Sequence, residues 1–247
     1  MSRLTSPLVR RAIISAGLAG FVWIASVHNL VVLALLAIVL VELPTLRRLP
    51  TQAEVLAEVP EFILGASVAV LIALYPRAIS QLVIAVAYLG WRIWLGQMKV
   101  GSSNQLVAAL VHQIVLFEAL FLAAAIWSPS RVVLLVILWA SSFILVYQLL
   151  ESRGDRGAAV LAAAWALVAS EAAWIFLAWL VSYVIAGGYL IVPQATIILG
   201  GLTYCAGSIY LAQREGKLSR ARLSEYLVIA LILVVIVITG TAWRGTI

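Results

Sequence analysis

Nine apolar stretches, separated by short loops in which Lys and Arg alternate between crowded and sparse, constrain this chain more than any other feature. They run roughly over residues 9–27, 29–45, 61–76, 78–96, 104–127, 131–150, 157–184, 192–212 and 223–241. A helix needs about 20 apolar residues, within a range of about 17–25, to cross the hydrocarbon layer of a bilayer. That layer holds no water, so backbone N–H and C=O groups must pair inside their own segment or in a closed barrel. The stretches lack the period-two polar alternation of barrel strands and therefore predict helices.

Composition agrees with lipid as the main solvent. The chain is 65% hydrophobic and 11% charged, whereas a soluble domain carries about 25% charged residues. So few charges cannot cover a water-facing globule. The single cysteine, Cys205, sits inside an apolar stretch, which excludes a disulfide within one chain and a cysteine-based metal site. His28 and His112 are far apart and have no Cys or His at ligand spacing. No metal or cofactor is expected. The net charge of +6 reports orientation and anionic headgroups rather than nucleic acid, because no basic run is long or aromatic enough to bind a polynucleotide. Arg214, Lys217, Arg220 and Arg222 form the strongest basic cluster and are expected to meet lipid headgroups. The first residues have the shape of a signal peptide. Ile24 and Val27 around Ala25-Ser26 make a poor cleavage site, so the segment reads as a retained first helix.

Residues 12–43 form one apolar run broken only by His28-Asn29, and loop charge decides how to divide it. If that pair is a tight turn and the N-terminus is cytoplasmic, thirteen basic residues lie inside: Arg3, Arg10, Arg11, Arg47, Arg48, Arg92, Lys99, Arg153, Arg156, Arg214, Lys217, Arg220 and Arg222. Only Arg77, Arg131 and Arg244 lie outside. If 12–43 is a single span, the same residues split six against ten. The positive-inside rule selects the first arrangement. The expected fold is thus an all-α polytopic transmembrane bundle of about nine spans in a bacterial cytoplasmic membrane, N-terminus cytoplasmic and C-terminus outside.

The chain reads as one domain over 1–247. Residues 44–61 are its largest amphipathic break. Thr51 and Glu54 have capping-box spacing between Pro50 and Pro60, which predicts a short interfacial helix at about 51–59. Glu54, Glu58 and Glu61 read as its solvated acidic face. Ala158, Ala162, Ala166 and Ser170 in the seventh stretch, Ala12, Ala16 and Gly20 in the first, and Gly200-Gly201 and Ala206-Gly207 in the eighth are small-residue contacts for close-packed helices. Pro193 is expected to open the eighth helix, with Ala186-Gly187-Gly188-Tyr189 before it as a plain turn. Trp139, Trp165 and Trp174 are expected to pack inside the bundle.

Ionisable residues within a membrane are costly and mark a site by default. Glu118 falls near the centre of the fifth stretch and Glu171 near the centre of the seventh. The fifth also carries His112 and Gln113. His112 and Glu118 are six residues apart, so they point to different faces and cannot pair on one helix. Glu118, Glu171, His112 and Gln113 are the candidate intramembrane polar site. Two roles fit them: a proton or cation relay, or structural hydrogen bonds between helices.

Catalytic signatures are missing. There is no H-E-x-x-H, no G-x-S-x-G and no phosphate-cradling Gly loop with Lys. No span carries a Lys able to form a Schiff base, so no catalytic residue is assigned. The C-terminal stretch GSIYLAQREGKLSRARLSEYLVIALILVVIVI resembles the ending of uncharacterised polytopic membrane proteins of candidate-phyla, small-genome bacteria, in which a Leu-Ser-basic stretch leads into a final helix. That resemblance implies a membrane protein and lends no site residues. Two functions are compatible with these features: a small-solute or ion transporter using the mid-membrane carboxylates, and a non-catalytic membrane scaffold or subunit that packs against a membrane-protein partner.

Overall fold

The structure, a computed structural model, describes residues 7–28, 30–46, 52–95, 97 and 104–240, with side chains at all of these but 7–12, 42–58, 186 and 236–240. Among the described residues nine α-helices follow one another: α1 (Pro7–Val27), α2 (Val31–Leu46), α3 (Gln52–Leu74), α4 (Ala78–Leu95), α5 (Asn104–Ile126), α6 (Arg131–Glu151), α7 (Ala158–Ala178), α8 (Gln194–Arg214) and α9 (Arg220–Gly240). Each apolar stretch overlaps one of them. The long run 12–43 is divided at His28, where α1 ends and the amide of Leu30 returns to the carbonyl of Ala25. Helices α4 to α8 are each long and apolar enough to cross a membrane, and shorter apolar helices cover 13–27, 31–41 and 59–74. The chain is in these terms a multi-pass membrane protein.

The fold is all-α as expected, with one short hairpin added where the seventh stretch ends. The seventh helix stops at Ala178 instead of reaching 184, and residues 182–193 form an antiparallel hairpin. Strand β1 (Ser182–Ile185) pairs with β2 (Leu190–Pro193), Ser182 opposite Pro193 and Ile185 opposite Leu190. The reason is local. Tyr183, Val184 and Ile185 before the turn, and Tyr189, Ile191 and Val192 after it, are aromatic or β-branched and favour strands. Gly187 and Gly188 have φ of 65° and 90°, a conformation that glycine adopts without steric cost. Pro193 stands just before α8, where its missing N–H costs nothing.

The amphipathic stretch after residue 51 is helical from Gln52 and runs unbroken through Pro60 into α3. Thr51 and the side chains of Glu54 and Glu58 lie outside the described residues and side chains. So do Arg3, Arg10, Arg11, Ala12, Arg47, Arg48, Lys99, Trp243 and Arg244.

Four packed clusters join the helices. One lies among α1–α4, around Val22, Ile38, Val68 and Ile72. A second joins α5–α8 around Phe117, Phe121, Leu138, Ala169 and Leu199. Contacts of α3 with α5, through Leu71, Leu74, Ala119 and Leu122, connect the two halves. Helices α6 and α7 pair most extensively, and the buried side of α7 is Ala158, Ala162, Ala166, Ala169, Ala173 and Leu177. Three of the four residues of the expected small-residue row are buried there, while Ser170 turns its hydroxyl to the carbonyl of Ala166. In α1 the register differs from expectation. Ala16 is exposed, and Ser15, Leu18, Ala19, Val22, Ala25 and Ser26 face inward. Glycines of α8 serve close approach. A Cβ on Gly200 would stand 3.0 Å from Ile114 of α5, and one on Gly207 would stand 2.9 Å from Leu106.

Because the buried side of α7 is built of alanines, Ala166→Leu should overpack the bundle by about 1–3 kcal/mol. The expected outcome is a lower Tm in detergent, whereas Val168→Leu, on the exposed side of the same helix, should leave Tm unchanged.

Candidate functional site

The four candidate residues occupy four different surroundings, and no hydrogen bond between any two of them is seen. Glu118 lies half-buried on α5 beside a cavity of about 350 Å³. Helix α3 contributes Leu71 to the wall, with Tyr75 just past its end. Ile84 comes from α4, Ile114 and Val115 from α5, Leu190 and Val192 from β2, and Thr196, Ile197, Gly200 and Gly201 from α8. The lining is almost wholly apolar. Its polar groups are the Glu118 carboxyl, the Tyr75 hydroxyl and the buried Thr196 hydroxyl.

Tyr75 organises this end of the cavity. Its hydroxyl donates to the carbonyl of Ile191 at 2.8 Å, accepts from the Ile191 amide at 3.3 Å, and stands 3.4 Å from Glu118 Oε1. One side chain thus holds both the hairpin and the carboxyl. Two further contacts seat the hairpin on the start of α4 and the turn before it. Ser80 Oγ donates to the carbonyl of Tyr189 at 2.6 Å, and the Arg77 guanidinium lies 4.1 Å over the Tyr189 ring. Gln81 Nε2 in turn donates to the Tyr75 carbonyl at 2.8 Å. The hairpin therefore covers the Glu118 cavity at the end of the bundle where α3 turns into α4.

Gln113 is 1% exposed and acts as a tie among three helices. Its Oε1 accepts from Trp165 Nε1 of α7 at 3.3 Å and from Thr203 Oγ1 of α8 at 3.1 Å. His112, 3% exposed, turns Nδ1 to the carbonyl of Ala108 one turn back on its own helix, and its ring meets Trp91 of α4 edge-on. Its Nε2 is buried without a partner. Glu171 faces outward from α7, opposite the alanine row, and is exposed. Trp174 and Trp139 are exposed on outer faces too, and Trp139 stacks on Phe143 at 5.8 Å, so of the three deep tryptophans only Trp165 reaches inward to a polar partner.

A buried ion pair was hidden among residues read as loop charges. Arg92 belongs to the last turn of α4, is 5% exposed and meets Glu61 of α3 at 3.4 Å. Arg92 Nη1 also donates to Tyr88 Oη at 3.1 Å. The available signal was the Tyr88–Arg92 spacing of one helical turn inside an apolar segment. Opposite charges in low dielectric leave both groups costly to strand alone.

At the other end from the hairpin, the loops after α6 and α8 meet. An Arg214 guanidinium N–H donates to the carbonyl of Arg153, and Arg214 stands 3.8 Å from Asp155. Lys217 pairs with Glu215 at 2.8 Å and, by that hydrogen bond, holds the Glu215 carboxyl below its ordinary range. Burial pulls Arg153 below its ordinary value. Among the described residues no three His, Cys, Asp or Glu side chains converge as a metal-ligand set. No protein-family model, curated protein or solved structure matches the chain.

Tyr75→Phe removes the hydroxyl that anchors Ile191. A hydrogen bond of this kind is worth about 1 kcal/mol, so amide exchange at Ile191 and its neighbours in 182–193 should quicken about fivefold. Exchange in the buried turns of α5 should be unchanged. Hydrogen–deuterium exchange of the two proteins in detergent measures both.

Proposed function

We propose that this protein is a small-solute transporter of a bacterial cytoplasmic membrane, and that Glu118 is the polar contact of its binding pocket. The observation that supports this reading is the apolar pocket with one carboxyl on its wall, lined at one end by a hairpin. Ligand pockets combine a mostly apolar lining with a few placed polar groups. An almost dry wall with a single carboxyl and two hydroxyls selects a compact apolar body carrying one ammonium or other hydrogen-bond donor. Charge in hydrocarbon is otherwise too costly to retain.

In this reading all nine helices cross the membrane, with the N-terminus cytoplasmic and the C-terminus outside. Geometry supports the sidedness. Arg153, Arg156, Arg214 and Lys217 cluster at one end through the Arg214–Arg153 contact, and Arg77 lies with the hairpin at the other. Single cysteines in a Cys205→Ala background test it. Arg156→Cys should react with an impermeant maleimide only from the cytoplasmic side, and Ser130→Cys and Val184→Cys only from outside. Labelling of all three from one side sinks the topology.

The pocket is tested with phenethylamine and its uncharged isostere propylbenzene. Purified protein in vesicles should take up the amine saturably and discriminate against the hydrocarbon. Glu118→Gln, nearly isosteric, should lower amine uptake by at least about tenfold with folding intact, since a charge-assisted bond contributes about 1.5–3 kcal/mol. Equal uptake by both proteins would end the assignment. The second reading, a membrane subunit that packs against a partner, draws on the exposed carboxyl of α7.

A further inference from the structure

We infer that the Glu118 pocket opens sideways into the bilayer between α4 and α8, and that its occupant is an amphiphile already dissolved in the lipid, a primary amine with an apolar tail. Lateral entry rests on the pocket reading above and on α4, α5 and α8 being membrane spans.

The walls leave one side free. Helix α5 supplies the floor through Ile114, Val115 and Glu118. Leu71 of α3, Tyr75 and Ile84 of α4 form one wall, and Thr196, Ile197, Gly200 and Gly201 of α8 form the other. Both walls are fixed to the floor. Helix α3 packs on α5 through Leu71, Leu74, Ala119 and Leu122, and a Cβ on Gly200 would stand 3.0 Å from Ile114. The walls are not fixed to each other. Among the described residues α4 packs on α1 and α3, whereas α8 packs on α5, α7 and α9, with no comparable contact between α4 and α8. The space is an open groove rather than a sealed cavity.

Depth decides what the free side faces. Leu190 and Val192 of β2 line the groove where α8 begins, and Tyr75, Ser80 and Arg77 hold the hairpin there. The rest of the groove lies deeper. Glu118 precedes the end of α5 by eight residues, and Gly201 follows the start of α8 by seven. Both are about 10–12 Å into their helices at 1.5 Å per residue. The hydrocarbon layer is about 30 Å thick, so the free side lies at the depth of acyl chains in the leaflet next to the hairpin. The surface of α4 at this depth exposes Leu82, Val83 and Val86, all apolar.

Polar groups on the wall select the occupant. A bare lipid tail in the groove would offer the Glu118 carboxyl no hydrogen bond, and the Thr196 hydroxyl of the same lining is buried without a partner. Polar groups left unmatched in hydrocarbon are costly. A primary amine carries N–H donors, and a carboxyl has an acceptor oxygen whether or not it is ionised, so the pairing assumes no charge at Glu118. The tail can leave by the free side and lie among lipid tails, so its length is not limited by the groove's volume of about 350 Å³.

The test uses the full chain, with Cys205→Ala, in phosphatidylcholine vesicles. A nitroxide is placed on Ile197→Cys of one wall and, in a second protein, on Ile84→Cys of the other. Collisions with oxygen, which concentrates in lipid, and with an aqueous nickel chelate report what fills the groove. Both labels should favour oxygen as strongly as a label on Val83→Cys of α4, and opposite to one on Ser130→Cys in the turn before α6. Decylamine should immobilise both labels at a bilayer concentration about fivefold below that of its isostere undecane, the worth of one hydrogen bond. Glu118→Leu, verified as folded by a monodisperse detergent profile, should erase that difference. From butylamine to decylamine the effective aqueous concentration should fall about fourfold per methylene, as for chains that enter lipid. Labels reached by the chelate, or by neither reagent, overturn the lateral opening, as does a response that levels off before decylamine. Equal response to decylamine and undecane means a crevice for lipid tails only and overturns the occupant. The two readings fail separately: phenethylamine uptake unchanged in Glu118→Gln defeats the pocket, whereas Glu118-dependent uptake with chelate-accessible labels defeats only the lateral route.

Discussion

Between helices surrounded by lipid tails the hydrophobic effect gives no preference for contact over dispersal, so close packing and a few polar ties must hold the bundle. The rest of this structure depends on that constraint. The alanine side of α7 against α6, and Gly200 and Gly207 of α8 against α5, bring backbones close enough for dispersion to act over many atoms. Two buried serines hydrogen-bond without demanding water: Ser26 reaches the carbonyl of Ala69 on another helix, and Ser67 returns to its own helix at Ile63.

Helix α5 carries the stronger ties. Gln113 joins it to α7 and α8, and Glu118 meets the Tyr75 hydroxyl at the end of α3. The Arg92–Glu61 pair closes α3 against α4 at the other end of the same half. These contacts are few, but each is made where an unmatched group would be expensive, so they select one arrangement of helices among the many that greasy surfaces alone would permit.

The amino-acid sequence announces the helices, because hydrophobic length is read directly from lipid thickness. It announces the break at His28 as well. Less legible is whatever depends on which helices touch. Glu118 and Glu171 look equivalent along the chain, each deep in an apolar run, yet one lines a cavity and the other faces outward. Only the position of the α7 alanine row, on the side opposite Glu171, distinguishes them. Arg92 counts along the chain as one more inside charge at the end of the fourth stretch, and nothing in the sequence points to its partner Glu61, 31 positions away. The turn at Ala186–Tyr189 is legible from its glycine pair, but the strands beside it are not, because Val, Ile and Tyr are as apolar in a strand as in a helix and their outer residues continue the seventh and eighth stretches.

Tyr75 has one proton and two acceptors. Its hydroxyl donates to Ile191 of the hairpin and stands within reach of Glu118 in the cavity. A single proton shared between a strand and a carboxyl links the two: under the proposed function, a solute that satisfies Glu118 from inside the cavity leaves that proton wholly to Ile191 and so firms the anchoring of the hairpin.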